Sequence, residues 1–473
     1  MLTVADMVGK SKIPMKKVCV QGLGFVGAAM STAIALVTDD NGEPLYNVIG
    51  VDLPNELGQY RVDAINSGKF PFSISDKNLI SSVEFVFKQG NLKATTDNNI
   101  YSSADIVVVD IQLDMPYLDN HPKLEFDGFK SAIQILGRHI QPGTLVLVET
   151  TVPPGTCEKV VVPTLCTELK KRDIDPKSIY IAHSYERVMP GNDYLASITD
   201  YWRVFAGYTK KAGDICEEFL KSVVNVEDFP LTRLSSTTAS ETAKVMENTY
   251  RATNIAFIDE WTKYAESIGI DLFEVVNAIS KRPTHSNIRF PGLGVGGYCL
   301  TKDPIFAPVA AKQLFGKDLN FPFSQMAVRV NHEMPLHTVA RLKSLMNGIL
   351  SNRRLLICGV SYRQDVGDTR YSPTETLVRE LIAQKTNITC HDPYVTYWSE
   401  LNMTLSVQLP KARDFDAVIF AVPHQQYRDL DLTSWGSKNT LVLDASWVFS
   451  NEQRDTARTY GISIESIGRG DGL

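Results

Sequence analysis

The chain of 473 residues alternates strand-like and helix-like segments in two separate stretches, and this alternation limits the folds open to it. The strand-like segments are short, apolar and rich in β-branched residues, and each ends at a turn or a polar residue, as buried parallel strands do. They lie at residues 18–20, 48–51, 106–110, 145–149, 180–183 and 202–207, and again at 354–360, 387–393, 417–422 and 441–444. Because strands that alternate with helices usually pair in parallel, the sequence predicts two doubly wound α/β domains.

The residues between the two stretches have a helical pattern. Ser235 and its neighbours offer a helix N-cap, and the pattern continues past Ala265. A second strong helix is predicted between residues 323 and 346. We therefore predict three domains, with a central helical region that could form a dimer surface, over residues 1–232, 233–345 and 346–473.

Composition argues against several classes of partner. The chain has 48 Lys and Arg against 54 Asp and Glu, whereas a nucleic-acid or membrane-surface binder would carry a basic stripe. Residues 1–17 hold no apolar core of a secretory signal, and no apolar run approaches the roughly 20 residues that span a bilayer. The seven cysteines are widely spaced without a CxxC pair, so we expect free thiols, a cytoplasmic location and no metal site.

A glycine motif, Gly22-Leu-Gly24-Phe-Val-Gly27, directly follows the first predicted strand and opens a helix. Gly22 permits the tight turn, Gly24 lets a pyrophosphate approach the backbone, and Gly27 lets helix and strand pack closely. Asp52 closes the second strand, where a carboxylate accepts hydrogen bonds from both ribose hydroxyls and repels a 2′-phosphate. Together these residues predict a Rossmann-like domain that binds NAD rather than NADP.

A second glycine-rich segment, Gly294-Val-Gly-Gly-Tyr-Cys299-Leu-Thr-Lys302-Asp303, surrounds a cysteine. A thiol close to cationic groups would have a lowered pKa and would act as a nucleophile. The alternative, judged on this segment alone, is a buried cysteine without a chemical role.

One face of the first central helix carries an acid, an amine and an amide, because Glu241, Lys244 and Asn248 are spaced at i, i+3 and i+7. In isolation such a stripe is typical of a solvated helix face. Alanines at 239, 243, 252 and 256 instead favour close packing around much of this helix.

Three further motifs follow predicted strands, at the sheet edge where ligands of α/β proteins bind. Thr151 lies in the first of them, and the second has the neighbours Glu186 and Arg187, which in isolation would be a surface pair. The third brings Arg363 and Arg370 to the edge of the second α/β domain, where guanidinium groups can bind phosphate.

Taken in chain order, these motifs resemble those of the UDP-glucose/GDP-mannose dehydrogenase family, the NAD-dependent nucleotide-sugar 6-dehydrogenases, over residues 18–470. The resemblance implies a four-electron oxidation of the C6 hydroxyl of a UDP-sugar to a uronate, through a thiohemiacetal and a thioester on Cys299. It also implies that the C-terminal domain binds the UDP portion and that the central helices form a homodimer.

The resemblance assigns individual roles to residues that match the family motifs. The catalytic residues would be Cys299, Lys244, Asn248, Asp303, Glu186 and Thr151. The cofactor-binding residues would be Gly22, Gly24, Phe25, Val26, Gly27, Asp52, Thr151, Lys302 and Arg370. The substrate-binding residues would be Glu186, Arg187, Lys244, Asn248, Arg282, His285, Gly292, Tyr362 and Arg363.

The segment from Glu186 to Gly191 and the Gly294-Val-Gly-Gly run resemble the UDP-N-acetylhexosamine branch of the family. We therefore expect UDP-N-acetylglucosamine or UDP-N-acetylmannosamine as the substrate, with UDP-glucose as the alternative. Two alternatives from other classes are a two-electron hydroxyacid dehydrogenase of the 6-phosphogluconate type and a non-catalytic nucleotide-binding protein. Neither alternative uses Cys299.

Overall fold

The computed structural model describes residues 15–113, 115, 117–118, 121–188 and 191–470. The first 14 residues of the predicted 1–232 domain, residues 189–190 of the Glu186 motif and residues 471–473 of the last domain lie outside the described residues. Within the described ranges, no helix combines the length and the apolar character needed to cross a membrane.

The N-terminal region alternates strands and helices as the sequence predicts. Its elements are β1 (Lys16–Gln21), α1 (Phe25–Ala35), β2 (Tyr46–Val51), α2 (Glu56–Asn66), α3 (Lys77–Gln89), β3 (Leu92–Thr95), β4 (Ile106–Val109), β5 (Tyr117–Leu118), β6 (His121–Pro122), α4 (Asp127–His139), β7 (Leu145–Val148), α5 (Val162–Lys170), β8 (Tyr180–Tyr185), α6 (Ala196–Thr199), β9 (Val204–Gly207), α7 (Lys210–Val223) and β10 (Thr232–Arg233).

Eight of these strands form one sheet in the order β10-β9-β8-β7-β4-β1-β2-β3. Both faces are buried, since Val18 and Val20 of β1 pack into one apolar cluster and Cys19 packs into the other. The strand order reverses between β1 and β4, so a crevice opens at their carboxyl ends, where dinucleotides bind in such sheets.

The direction of β9 differs from the parallel arrangement that the alternating pattern suggests, because β9 pairs antiparallel with β8. The described part of the connection between them holds only the four-residue helix α6. Parallel pairing usually needs a longer crossover helix that packs back on the sheet. The doubly wound fold is confirmed, with a mixed edge.

Four helices form the central region: α8 (Thr237–Ile268), α9 (Leu272–Ser280), α10 (Asp303–Phe315) and α11 (Pro322–Leu345). The Ser236 side chain caps α8 by accepting a hydrogen bond from the Ala239 amide (3.2 Å), and α8 ends at Gly269, whose φ is +76°. Helices α10 and α11 pack against α8. The sequence predicted both long helices, α8 and α11. The three domain ranges stay a prediction. The short strand β10 crosses the predicted boundary between residues 232 and 233.

The C-terminal region repeats the α/β pattern. Its elements are β11 (Arg354–Cys358), α12 (Pro373–Ala383), β12 (Asn387–His391), β13 (Tyr397–Trp398), β14 (Met403–Thr404), β15 (Ala417–Phe420), α13 (Gln425–Arg428), α14 (Leu432–Trp435), β16 (Leu441–Asp444), α15 (Asn451–Thr459) and β17 (Ile464–Ser466). Five strands form a parallel sheet in the order β12-β11-β15-β16-β17. Its strand order reverses between β11 and β15, so a second crevice opens at that edge.

Candidate active site

The glycine motif forms the turn between β1 and α1. Gly22 has φ +99°, and a Cβ added to it would lie 2.5 Å from the carbonyl oxygen of Asp110. A Cβ on Gly27 would lie 1.9 Å from the Gly22 oxygen, whereas a Cβ on Gly24 would meet no atom within 4 Å. Gly24 is the N-cap of α1 and provides no side-chain cap to the first helix amides, and Gly24, Phe25 and Val26 line the cleft. This cradle fits the pyrophosphate of a dinucleotide.

Asp52 follows β2, next to the glycine motif. Its carboxylate accepts hydrogen bonds from the amides of Leu23 (3.1 Å) and Leu53 (2.7 Å), and it pairs with Arg61 (3.2 Å). This is the position from which a carboxylate binds the adenosine ribose in a Rossmann fold. The residues present therefore fit NAD.

A cleft with a volume of about 630 Å³ lies beside the glycine motif. All three regions of the chain contribute to its wall. The lining includes thirteen of the predicted residues, namely Gly24, Phe25, Val26, Thr151, Glu186, Arg187, Lys244, Asn248, Cys299, Lys302, Asp303, Tyr362 and Arg370.

Cys299 is the exposed member of the seven free cysteines, and it lies in the cleft wall just before α10. The cleft walls partly desolvate the thiol, and with the nearby negative charge of Asp303 they raise the pKa of Cys299 to about 11. The sequence-based expectation that this pKa is lowered is therefore wrong for the protein without bound ligands. Lys244 and Lys302 act in the expected direction, but each already lies beside a carboxylate.

Asp303, the first residue of α10, is fully buried and connects two of the predicted residues. Its Oδ2 accepts a hydrogen bond from Asn248 Nδ2 (2.7 Å), and its Oδ1 pairs with Lys302 Nζ (2.9 Å). The Lys302 ammonium also lies 4.1 Å from the centre of the Tyr298 ring. This network fixes an amide, a carboxylate and an ammonium group next to Cys299.

Lys244 projects from α8 into the same cleft. Its Nζ donates to the carbonyl oxygen of Glu186 (2.7 Å) and lies 3.6 Å from Glu186 Oε1. Glu186 directly follows β8, and its Oε2 accepts a hydrogen bond from the Val188 amide (2.6 Å). Sheet edge and helix together thus place an ammonium and a carboxylate on the wall that carries Cys299.

The alternative interpretation of Glu186 and Arg187 was a surface ion pair between the two neighbours. Arg187 instead pairs with a different residue. Its guanidinium forms several hydrogen bonds with Glu247 of α8 (3.0–3.1 Å) and donates to the carbonyl oxygen of Trp202. Arg187 also lies 5.9 Å from the centre of the Tyr201 ring. An arginine that is oriented on several sides can bind a polar group of a ligand without losing much freedom.

The three polar residues on the face of α8 have different roles, and none is solvated. Lys244 and Asn248 face the cleft, whereas Glu241 accepts hydrogen bonds from the amides of Gly155 (2.6 Å) and Cys157 (2.7 Å). Burial raises the pKa of Glu241 to about 7, although these hydrogen bonds oppose the shift. Glu241 thereby holds the segment after β7, which brings Thr151 to the cleft.

The C-terminal region supplies Tyr362 and Arg370 to the cleft. The Arg370 guanidinium pairs with Asp368 (2.7 Å) and lies 5.5 Å from the centre of the Phe25 ring in the glycine motif. The two α/β regions therefore meet across the cleft at a cation–π contact.

Four predicted substrate-binding residues are described but lie outside the cleft lining: Arg282, His285, Gly292 and Arg363. Arg282 and His285 are exposed, because the segment that follows α9 leaves the cleft before it returns towards Cys299. The segment reaches the lining instead at Asn287 and Arg289.

Sequence reasoning missed several lining residues. Asp110 and Glu149 directly follow β4 and β7, so the strand-end rule that identified Thr151 could have found them. Burial and the nearby Glu149 raise the pKa of Asp110 well above its ordinary value, and Glu149 forms a buried ion pair with Arg203. Arg251 extends the Lys244 and Asn248 stripe by three residues on the same helix face.

The chain is similar in sequence and in structure to known nucleotide-sugar dehydrogenases. The chain is 29% identical over 442 residues to the UDP-N-acetyl-D-mannosamine dehydrogenase of Methanocaldococcus jannaschii, covering 92% of this chain and 93% of that protein. It is 26% identical to the NDP-N-acetyl-D-galactosaminuronic acid dehydrogenase of Ralstonia nicotianae, covering 92% of this chain and 97% of that protein. The structure of UDP-D-ManNAc dehydrogenase from Pyrococcus horikoshii matches with a TM-score of 0.79 at 25% identity, over 96% of this chain and 100% of that one.

The match to the family extends over each region of the fold. Residues 16–224 match the NAD binding domain of the UDP-glucose/GDP-mannose dehydrogenase family, residues 238–333 its central domain, and residues 356–451 its UDP binding domain. The chain therefore belongs to the UDP-glucose/GDP-mannose dehydrogenase family and is an NAD-dependent nucleotide-sugar dehydrogenase.

Proposed function

We propose that this enzyme oxidises the C6 hydroxyl of UDP-N-acetyl-D-mannosamine to a carboxylate in a four-electron reaction. The observation that carries the proposal is the exposed thiol of Cys299 on the cleft wall, beside Lys302, Asp303 and Asn248. A hydroxyl-to-ketone oxidation would not need this thiol. An aldehyde does, because it loses a hydride only after a nucleophile has added to its carbon.

NAD would supply the hydride acceptor, and the two oxidation steps would consume two NAD molecules in succession. The thiolate of Cys299 adds to the aldehyde carbon between these steps, which forms a C–S bond and leaves a thiohemiacetal. Loss of the second hydride converts this adduct to a thioester. Water then adds, the C–S bond breaks, and the uronate leaves as the thiol is restored.

The neighbouring residues have roles that follow from their charge and hydrogen bonding. Lys244 and Asn248 stabilise the oxyanion that develops as the thiolate adds and as water attacks. Asp303 lines the cleft, and its carboxylate is fixed in orientation by Asn248 and Lys302, so it can accept a hydrogen bond from the attacking water and order it. Glu186 would serve the hydrolytic stage, and Thr151, on the cleft wall, would contact the nicotinamide end of a bound NAD.

The sugar preference is supported by the relatives and by the cleft. Several relatives that span more than nine-tenths of the chain are UDP-N-acetyl-D-mannosamine dehydrogenases. The Arg187 guanidinium, fixed by Glu247, can bind the acetamido oxygen that glucose lacks. The match of residues 356–451 to a UDP binding domain argues against the two-electron hydroxyacid alternative.

A substrate panel tests this proposal. The purified enzyme is mixed with excess NAD and limiting UDP-ManNAc, UDP-GlcNAc, UDP-GalNAc or UDP-glucose, and NADH and sugar products are measured. We expect two NADH for each UDP-ManNAc consumed, and a kcat/KM at least about tenfold above that for UDP-glucose, because one oriented polar contact is worth that factor. One NADH per sugar with an accumulating keto-sugar would refute the four-electron reaction, and UDP-glucose as the best substrate would refute the sugar assignment.

We also propose that the enzyme is a homodimer through the central helices. Helix α8 exposes an apolar face formed by Phe257, Trp261, Tyr264 and Ile268, which are three or four residues apart, and by Met246, which lies eleven residues before Phe257. Each of these side chains is at least 44% exposed, and a second copy of the same face would bury them by two-fold symmetry.

Light scattering of the Trp261→Glu variant tests the dimer. We expect its dimer dissociation constant to rise by about 30-fold or more, since a central tryptophan commonly dominates an interface. Tyr460→Glu, at an exposed aromatic residue of the C-terminal region, is the matched control and should leave the mass unchanged. A wild-type monomer, or a Trp261→Glu variant as dimeric as wild type, would contradict the assignment.

We place the reaction in the cytoplasm because all seven cysteines are unpaired and Cys299 must stay reduced to act.

A further inference from the structure

The segment at residues 361–372, here called the bridging loop, connects β11 to α12 and presses on the cysteine segment. A Cβ on Gly297 would lie 2.7 Å from the Tyr362 ring, and a Cβ on Gly296 would lie 2.7 Å from the carbonyl oxygen of Tyr371. These glycines precede Cys299 by two and three residues. The position of the bridging loop therefore limits where the cysteine segment can lie.

The middle of the bridging loop is held by His424, which follows β15 and is fully buried. The Asp365 amide donates a hydrogen bond to His424 Nδ1 (2.9 Å). Asp365 has φ +57°, a left-handed conformation that costs a non-glycine residue energy unless its surroundings fix it. Its side chain is fixed as well, because Oδ1 accepts hydrogen bonds from the Gln425 amide (3.0 Å) and the Tyr394 hydroxyl (3.3 Å).

The other ring nitrogen of His424 reaches the start of the bridging loop. Since a backbone amide can only donate, Nδ1 accepts, and in the neutral ring the proton is on Nε2. Nε2 lies 3.0 Å from Asp392 Oδ2 and 3.2 Å from Ser361 Oγ. Asp392 Oδ2 also accepts from the amides of Val360 (2.8 Å) and Ser361 (3.1 Å). One imidazole thus fixes both the start and the middle of the loop.

We propose that His424 is a positioning residue for the nucleotide-sugar half of the cleft. Among the described residues the hydrogen bonds of its ring go to Ser361, Asp365 and Asp392, which do not line the cleft. It acts by holding the start and middle of the bridging loop so that Tyr362 faces the UDP-sugar and supports the cysteine segment, whereas Arg370 is held separately by its pair with Asp368. The inference rests on the proposed binding of the UDP portion against this loop. It predicts that loss of the imidazole weakens binding of the UDP-sugar but not of NAD.

The test compares His424→Phe, which keeps a ring without nitrogens, with His424→Asn, whose amide oxygen can accept the Asp365 amide. We expect His424→Phe to raise the KM for the UDP-sugar and the Kd for UDP by about tenfold, the effect of leaving a buried donor unpaired, with the KM for NAD within twofold of wild type. His424→Asn should restore both values to within about threefold of wild type.

Thr440→Val is the matched control, because it removes buried hydrogen bonds to Ala412 and Phe415 elsewhere in the same domain. It should lower the Tm and leave both constants unchanged.

Three results would overturn the proposal: a His424→Phe variant with wild-type constants, parallel losses for NAD and UDP, or an Asn variant no better than the Phe variant. If the His424→Phe variant does not fold, the His424→Gln variant takes its place. The longer glutamine side chain brings its amide to Asp392 but leaves the Asp365 amide without an acceptor. This variant should then bind UDP more weakly than His424→Asn, and equal affinities would count against the proposal. Calorimetry with UDP alone separates this outcome from a failure of the proposed function, in which the wild type binds UDP but oxidises no UDP-sugar.

Discussion

Replacing Cys299 with alanine is expected to lower uronate formation by at least about 10³-fold while the protein still binds NAD and UDP. The thiol is the exposed sulfur on the cleft wall, where it can add to the aldehyde carbon. The glycine motif and the bridging loop do not depend on the sulfur, so binding should survive. Liquid chromatography of the sugar products, together with NAD and UDP titrations, measures the two effects separately.

Cys166→Ala is the control for this substitution. Cys166 is a partly exposed free thiol on α5, outside the cleft lining, and its loss should leave the uronate rate within twofold of wild type. A Cys299→Ala enzyme that still makes uronate at more than a tenth of the wild-type rate would remove the thiol from the reaction.

Replacing Lys244 with methionine is expected to lower kcat by about 10²- to 10³-fold, with a much smaller change in the KM for the UDP-sugar. Lys244 is buried in the cleft wall, and its ammonium lies between the carbonyl and the carboxylate of Glu186. Methionine keeps most of the apolar stem but removes the charge that stabilises a developing oxyanion. Steady-state kinetics at saturating NAD measure both constants.

The matched control for Lys244→Met is Lys263→Met on the same helix. Lys263 is about half exposed and pairs with Asp259 (2.6 Å), far along α8 from the cleft. It should retain wild-type kcat and KM. If Lys244→Met has a kcat within threefold of wild type and an unchanged Tm, the ammonium does not stabilise the transition state.

The fold was largely predictable because its signals are local. Strand-like segments such as residues 106–110 and 145–149 ended at the sheet edge as expected, and Ser236 and Gly269 bound the long helix α8. The direction of β9 was not predictable in this way, since it depends on how the chain returns to the sheet rather than on the residues of the strand.

The site was predictable where a motif fixes a position along one element, and less so where three regions meet. Cys299, Lys244 and Asn248 line the cleft, as the motifs require. The pKa of Cys299 was expected to fall but is raised, because partial desolvation by the cleft walls and the charge of Asp303 outweigh two lysines that are already beside carboxylates. Arg289, rather than Arg282, reaches the lining, and such a choice depends on the path of a segment without regular structure.

The close approach of Tyr362 to the cysteine segment has an evolutionary consequence. The left-handed backbone of Gly297 (φ +83°) itself favours glycine, whereas the backbone of Gly296 is not left-handed. What forbids a side chain at Gly296 is the neighbouring domain, since an added methyl would push the two lobes apart at the thiol. A Cβ on Gly296 would meet the Tyr371 carbonyl oxygen, Pro373 Cδ and Tyr362 Cβ, which a smaller side chain at 362 would not remove. Substitutions at Gly296 can therefore persist only in lineages in which the backbone around residues 371–373 also shifts, so these positions should co-vary although more than 60 residues separate them in the sequence.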